Sequence, residues 1–124
     1  MHRDSRLSGA DAEQLARDYL QKQGLKFVAK NFRTPRGEID LIMRDNAHLV
    51  FVEVRFRHST DFGSAEESIT RQKCQRLNAA ALAYMQSQKL TNRLSARFDA
   101  VAISPAPEKS QAGYRINWIK NILQ

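Results

Sequence analysis

The fold is decided by residues 37–57, Gly37-Glu38-Ile39-Asp40-Leu41-Ile42-Met43-Arg44-Asp45-Asn46-Ala47-His48-Leu49-Val50-Phe51-Val52-Glu53-Val54-Arg55-Phe56-Arg57. From Glu38 to Arg44 the apolar residues alternate, which sets Ile39, Leu41 and Met43 on one face of a strand and Glu38, Asp40 and Ile42 on the other. Asp45-Asn46 reads as a hairpin turn. His48 to Arg57 follows as a strand rich in valine and phenylalanine, the side chains that fit a central position in a sheet.

Upstream, Ser8 to Gln23 reads as a helix, with Ser8 or Asp11 near its start and Gly24 as its stop. At about 100° per residue, Ala12, Leu15, Ala16, Tyr19 and Leu20 make one apolar arc. Leu25 to Phe32 reads as a first strand, and Thr34-Pro35-Arg36-Gly37 as the turn into the second. Downstream, His58 to Gly63 reads as a polar loop, and Ser64 to Gln88 as one long helix carrying Ile69, Leu77, Ala80 and Tyr84 on one face. Ser95 to Ser104 and Tyr114 to Trp118 read as two further strands, joined by a Pro-containing loop from Ser104 to Gly113. The order α-β-β-β-α-β-β predicts an α/β sandwich, a mixed sheet flanked by helices, in a single domain spanning 1–124.

The charges that interrupt this pattern carry the functional information. Period two places Leu49, Phe51, Glu53 and Arg55 on one face of the valine-rich strand. A glutamate there is costly to bury unless it is paired or binds a metal. Asp40, among Ile39, Leu41 and Ile42, poses the same problem, and a short turn near Asp45 lets the two carboxylates converge. A buried acid–arginine pair serving structure alone is the competing explanation. Glu13 borders the buried arc of the first helix, where a solvated flank residue is the simpler reading. Lys73 lies four residues from both Ile69 and Leu77 on the second helix; its stem can cover apolar surface while the amine reaches water, or the amine can serve a site.

Two acids on adjacent strands with a cation two residues after the second suit phosphodiester hydrolysis. Mg²⁺ prefers carboxylate oxygens, keeps several waters and also binds phosphate, and it lowers the pKa of a bound water. Composition agrees with an anionic partner. The 124 residues carry 20 Lys and Arg against 13 Asp and Glu, a net charge of +7 that favours nucleic acid or an anionic membrane surface. Between Ser68 and Phe98 no acid occurs, while Arg71, Lys73, Arg76, Lys89, Arg93 and Arg97 do. Arg33 and Arg36 flank the turn into the Asp40 strand, and Arg55, Arg57 and His58 lead out of the Glu53 strand; such groups contact phosphates without reading sequence. With one cysteine, Cys74, neither an internal disulfide nor a cysteine-rich zinc site is available. No apolar run approaches the roughly 18 residues that cross a bilayer, and the N-terminal stretch has no apolar signal core, so a cytoplasmic protein without a membrane partner is expected.

Gly37-Glu38-Ile39-Asp40-Leu41-Ile42 followed by Val52-Glu53-Val54-Arg55 resembles the bipartite D…ExK motif of restriction-endonuclease-like nucleases. Together with Ala12-Glu13, Asn31-Phe32-Arg33, Lys73 and Arg97-Phe98-Asp99, the pattern resembles the bacterial YraN family over nearly the whole chain, a family similar in fold to archaeal Holliday-junction resolvases. The resemblance implies a restriction-endonuclease-like core and a metal-dependent endonuclease acting on DNA, branched DNA included. By position it makes Asp40 and Glu53 ligands of Mg²⁺ or Mn²⁺, with the Val54 carbonyl a third and Glu13 completing the site. Arg55 stands where the motif has lysine; it stays protonated and serves as a charge rather than a base, and Lys73 can supply an ammonium instead. Arg33, Arg36, Arg57, Arg76 and Arg97 are the expected DNA contacts, and a homodimer is the expected assembly. The alternative is a non-catalytic nucleic-acid-binding module that keeps the nuclease fold.

Overall fold

Ser8 caps the first helix, α1 (Gly9–Lys22): its side chain accepts the Asp11 N–H while the Asp11 carboxylate takes the Ser8 N–H, so two otherwise orphaned donors are satisfied together. The structure, a computed structural model, describes residues 8–57, 64–89, 95–106 and 113–123. After α1 come β1 (Lys26–Thr34), β2 (Gly37–Asp45) and β3 (His48–Phe56), then a short 3₁₀ turn at Glu66–Ser68, α2 (Arg71–Ser87), β4 (Ser95–Pro105) and β5 (Tyr114–Ile119). The expected order of elements is observed. The polar loop expected at 58–63, most of the loop between the last strands, and Arg93 lie outside the described residues.

The five strands form one mixed sheet in the order β1-β2-β3-β4-β5, antiparallel throughout except for the parallel pair β3 and β4. A parallel neighbour needs a long crossover, and α2 lies within it. The helices cover opposite faces. Ala12, Ala16 and Leu20 of α1 pack with Leu41, Met43, Val50, Val52, Val54, Val101 and Ile103. Leu77, Ala80, Ala81, Tyr84 and Met85 of α2 pack with Ile39, Ile42, Leu49 and Phe51. Phe51 is stacked on Phe98 and meets Tyr84 edge-on, so aromatic contacts tie the central strands to α2.

Two expectations need correction. The second helix does not begin at Ser64. Thr70 caps it by accepting the Lys73 N–H, and Ile69 before it has left helical geometry, with ψ 88°. Ser64 and Glu67 satisfy their own backbone groups in a separate turn, so Ile69 is no part of the α2 face. Strict alternation also fails in β2: Ile39 shares the α2-side core with Ile42, whereas Leu41 and Met43 face α1. The phase changes at Asp40, where the strand pairing is interrupted on both sides.

Candidate metal and nucleic-acid site

The interruption at Asp40 builds the site. Pairing of β2 with β3 runs from Asp45↔His48 to Leu41↔Val52 and stops there, short of Asp40 and Glu53. Beyond that point the Asp40 carboxylate itself accepts the Val54 N–H at 2.8 Å, so a side chain takes over a donor at the place where the ladder ends. On the other side, Lys30↔Leu41 and Phe32↔Ile39 bracket Asn31, whose φ of 54° is left-handed, a conformation asparagine tolerates better than most residues. At this level Asp40 is paired with neither neighbouring strand, and the Glu53 and Glu13 charges act on it.

Burial pushes the Asp40 carboxyl up to about 7, and the neighbouring Glu53 carboxylate adds to the effect against the Val54 N–H that opposes it. Glu53 is also raised, by burial first, although Arg55 and Lys73 both favour its charged form. Glu53, Arg55 and Lys73, with Glu38, Thr70, Gln72 and Arg76, line an open cleft of 360 Å³ between the sheet and the start of α2. The Arg55 guanidinium stands 3.6 Å from Glu53 Oε1 and donates from Nε to Ser68 Oγ at 3.0 Å. Ser68 belongs to the 3₁₀ turn, where its hydroxyl donates to the Ala65 carbonyl at 2.6 Å. Glu66 of the same turn accepts from Asn117 of β5 at 2.9 Å, a bond that lowers its carboxyl. Arg55 is thus oriented from the far edge of the sheet. Lys73 is pulled below the usual lysine range by burial and by the Arg55 charge.

The expected residues separate into groups. Asp40, Glu53, Arg55 and Lys73 are electrostatic neighbours, and Arg76 joins the last three at the cleft. Glu13 stands on the α1 side. With its amide nitrogen turned toward the carboxylate, Asn31 donates to both Glu13 oxygens at 3.0 and 3.2 Å, and burial raises the Glu13 carboxyl. Glu13 acts on Asp40 as a like charge, but among the described residues no three His, Cys, Asp or Glu side chains converge closely enough to hold one ion. Arg33 pairs with Glu38 at 3.5 Å and Arg36 is exposed in the turn. Arg57 directs its backbone N–H to the Ile103 carbonyl, and its charge reaches Lys73.

Arg97 has a different employment from the one expected. It donates to Asp99 at 3.1 and 3.2 Å and to Asp45 at 3.3 Å. Asp99 is wholly buried and also accepts from Trp118 Nε1 and the Asn121 N–H, so Arg97 neutralises an internal acid instead of presenting a free cation.

Several residues outside the expected set are brought to the site by the geometry. Glu38, Thr70 and Gln72 line the cleft, Ser68 holds Arg55, and Asn31 holds Glu13. Glu38 and Asn31 lie inside stretches already singled out, so the signal was proximity to Asp40 and Glu13. Ser68 offered none. Gly37 has a steric reason: a Cβ there would lie 2.6 Å from the Arg76 carbonyl carbon and closer still to its oxygen, so β2 and α2 meet backbone to backbone at the edge of the cleft.

A family model described as Uncharacterised protein family UPF0102 matches residues 12–103. A UPF0102 protein of Coxiella burnetii (strain RSA 331) is 47% identical over 116 residues, which cover 94% of this chain and 91% of that protein. Another, from Aliivibrio fischeri (strain MJ11), is 43% identical over 121 residues, covering 97% and 94%. A third, from Shewanella denitrificans, is 46% identical over 113 residues, covering 91% and 95%.

Proposed function

We propose a function for a chain that belongs to the UPF0102 family, the YraN family of the sequence reading: a divalent-metal-dependent DNA endonuclease with a restriction-endonuclease-like core that hydrolyses phosphodiester bonds. The observation that carries it is the pair Asp40 and Glu53, two carboxylates raised first by burial, the Glu53 charge acting on Asp40, where the pairing of β2 with β3 ends beside a cleft lined by Glu53, Arg55, Lys73 and Arg76. Both carboxyls are raised, by burial first, and a bound cation would offset the cost of keeping them charged there.

The donor chemistry fits Mg²⁺ or Mn²⁺. Hard carboxylate oxygens suit these ions, and Mg²⁺ commonly uses one or two carboxylates, with water and phosphate oxygens filling the remaining positions. Asp40 and Glu53 would hold the ion, with the Val54 carbonyl a further donor implied by the family resemblance; Glu13, which the resemblance also implies, does not converge with them. Bound there, the ion would activate water and neutralise charge on the phosphate. Arg55 holds charge against the phosphate and keeps Glu53 oriented, a fixed guanidinium that takes no proton from the nucleophile. Lys73 lines the cleft with Glu53 and can supply the ammonium that the motif lysine would provide. Arg33, Arg36, Arg57 and Arg76 supply phosphate contacts around the opening. A branched substrate comes from the family resemblance; a homodimer is proposed as the assembly.

A binding module that keeps the fold is the second reading, favoured by the Arg55–Glu53 contact, which already neutralises one acid of the pair. Incubation of the purified protein with branched, single-stranded and duplex DNA, with and without Mg²⁺ or Mn²⁺, separates the two. Metal-dependent cleavage by wild type, lost in Asp40→Asn and Glu53→Gln with DNA binding kept, is expected. DNA binding without cleavage of any substrate by either metal moves the assignment to the binding module.

A further inference from the structure

Beside the cleft lies a second opening that the proposed chemistry does not use. It measures 490 Å³, and its lining combines an apolar floor of Pro35, Ala79, Leu82 and Ala83 with Gln75, Asn78 and Gln86 of α2 and with Arg36. Leu82 is 51% exposed, one of two large apolar side chains so exposed among the described residues. The two openings lie along the same helix: Gln72, Lys73 and Arg76 line the first and Gln75 and Asn78 the second, and the Gly37–Arg76 backbone contact lies beside the first. The α2 sequence RQKCQRLNAAALAYMQS contains no acid, so nothing on this helix repels a polyanion that leaves the cleft.

We infer that this groove receives the unpaired nucleotides next to the cleaved phosphate, so that the substrate is DNA with a single-stranded arm. The inference rests on the nuclease reading and narrows its substrate class. A duplex turns phosphates outward and keeps its base faces stacked inside, which leaves an apolar floor with nothing to cover it. An unpaired base offers both a flat apolar face and a hydrogen-bonding edge. Leu82, Pro35 and the two alanines take the face. The Gln75, Asn78 and Gln86 amides, each with donors and an acceptor, take the edge without a fixed preference for one base. Arg36 at the rim takes a phosphate. Charge complementarity selects nucleic acid over a protein helix here, because the charged residue of the lining is Arg36 and α2 carries Arg71, Lys73 and Arg76 but no acid.

The test measures binding of the full chain in chelator, so that chemistry plays no part, to a blunt duplex and to the same duplex with a short single-stranded overhang. Wild type should prefer the overhang. Leu82→Ser, an uncharged change at an exposed position that tolerates polarity, should weaken overhang binding about tenfold and leave blunt-duplex binding within about twofold, while Leu82→Met restores it. Equal affinity of wild type for both DNAs, or a Leu82→Ser loss shared by both, overturns the groove assignment. So does a concentration-dependent dimer that Leu82→Ser dissociates without changing DNA binding, since the face would then join two copies. The nuclease reading is judged separately by metal-dependent cleavage: wild type cutting blunt duplex with no overhang preference keeps the nuclease and removes the groove, and overhang binding lost in Leu82→Ser without any cleavage does the reverse.

Discussion

Replacing Asp40 by asparagine should stabilise the metal-free protein at alkaline pH and remove its response to metal. The Asp40 carboxyl is raised from 3.8 to about 7, by burial first and the Glu53 charge second. A group whose folded pKa lies above its unfolded value contributes stability that is fully present below the unfolded pKa and lost as pH rises through the folded one. The window is therefore 3.8 to about 7. At 1.36 kcal/mol per unit, the shift corresponds to a loss of about 4 kcal/mol above pH 7 and about 1.5 kcal/mol at pH 5. Asparagine has no charge to bury, and its amide oxygen can still accept the Val54 N–H that Asp40 accepts at 2.8 Å. Urea unfolding in chelator should thus show Asp40→Asn gaining on wild type as pH rises, from near parity at about pH 4 to a few kcal/mol at about pH 8.5. Added Mg²⁺ should raise the wild-type midpoint and leave the variant's unchanged. A gap that does not change with pH, or a variant less stable than wild type at pH 8.5, would refute the electrostatic argument.

Gly37→Ala should cost about 2–3 kcal/mol by thermal or urea unfolding, because its Cβ meets the Arg76 backbone and one of two packed elements must move; a loss under about 0.5 kcal/mol would mean that β2 and α2 approach less closely. Asp99→Asn should destabilise by about 3 kcal/mol, since Arg97 loses the buried charge it neutralises, and a second change, Arg97→Met, should recover part of that loss in a double-mutant cycle. Arg55→Lys keeps a cation beside Glu53 but surrenders the bond to Ser68, so single-turnover cleavage should stay within about tenfold of wild type, while Arg55→Ala should lose about a hundredfold or more. Equal losses in the two Arg55 variants would show that guanidinium geometry, not charge, is what the reaction uses.

The sheet and its two helices were legible because burial writes itself into periodicity: Ala12, Ala16 and Leu20 on α1, and Leu77, Ala80 and Tyr84 on α2, are all buried as their spacing requires. The start of α2 was not, because Ile69 fits the same helical spacing as Leu77 while Thr70 ends that continuity through one capping bond. Composition cannot rank a cap against a period. Asp40 was visible as an acid among apolar neighbours, but its role in ending the strand pairing was not, since that depends on a side chain reaching Val54 in another strand. Arg97 shows the opposite limit. Counted with the basic residues of an acid-free stretch, it answers an acid beyond that stretch, Asp99, two residues on.

The same acid pair that destabilises the free chain explains why so basic a protein carries its buried carboxylates where the pairing of β2 with β3 ends instead of replacing them. With a net charge of +7, an additional pair of apolar residues at positions 40 and 53 would raise attraction for DNA and remove the desolvation cost together. Natural stability margins are small, so an uncompensated cost of several kcal/mol is expected at places where a ligand offsets it. A cation that offsets this one would sit beside Glu53, where Arg55 and Lys73 already stand, and two positive groups disfavour a third unless a phosphate arrives with it. Metal and DNA should consequently bind with positive cooperativity, and by linkage each should raise the other's affinity by the same factor. Titration of Ca²⁺, as a non-hydrolysing stand-in, against DNA affinity gives that factor from one direction, and DNA against Ca²⁺ affinity gives it from the other. Independent binding of the two would place the cation away from Asp40 and Glu53.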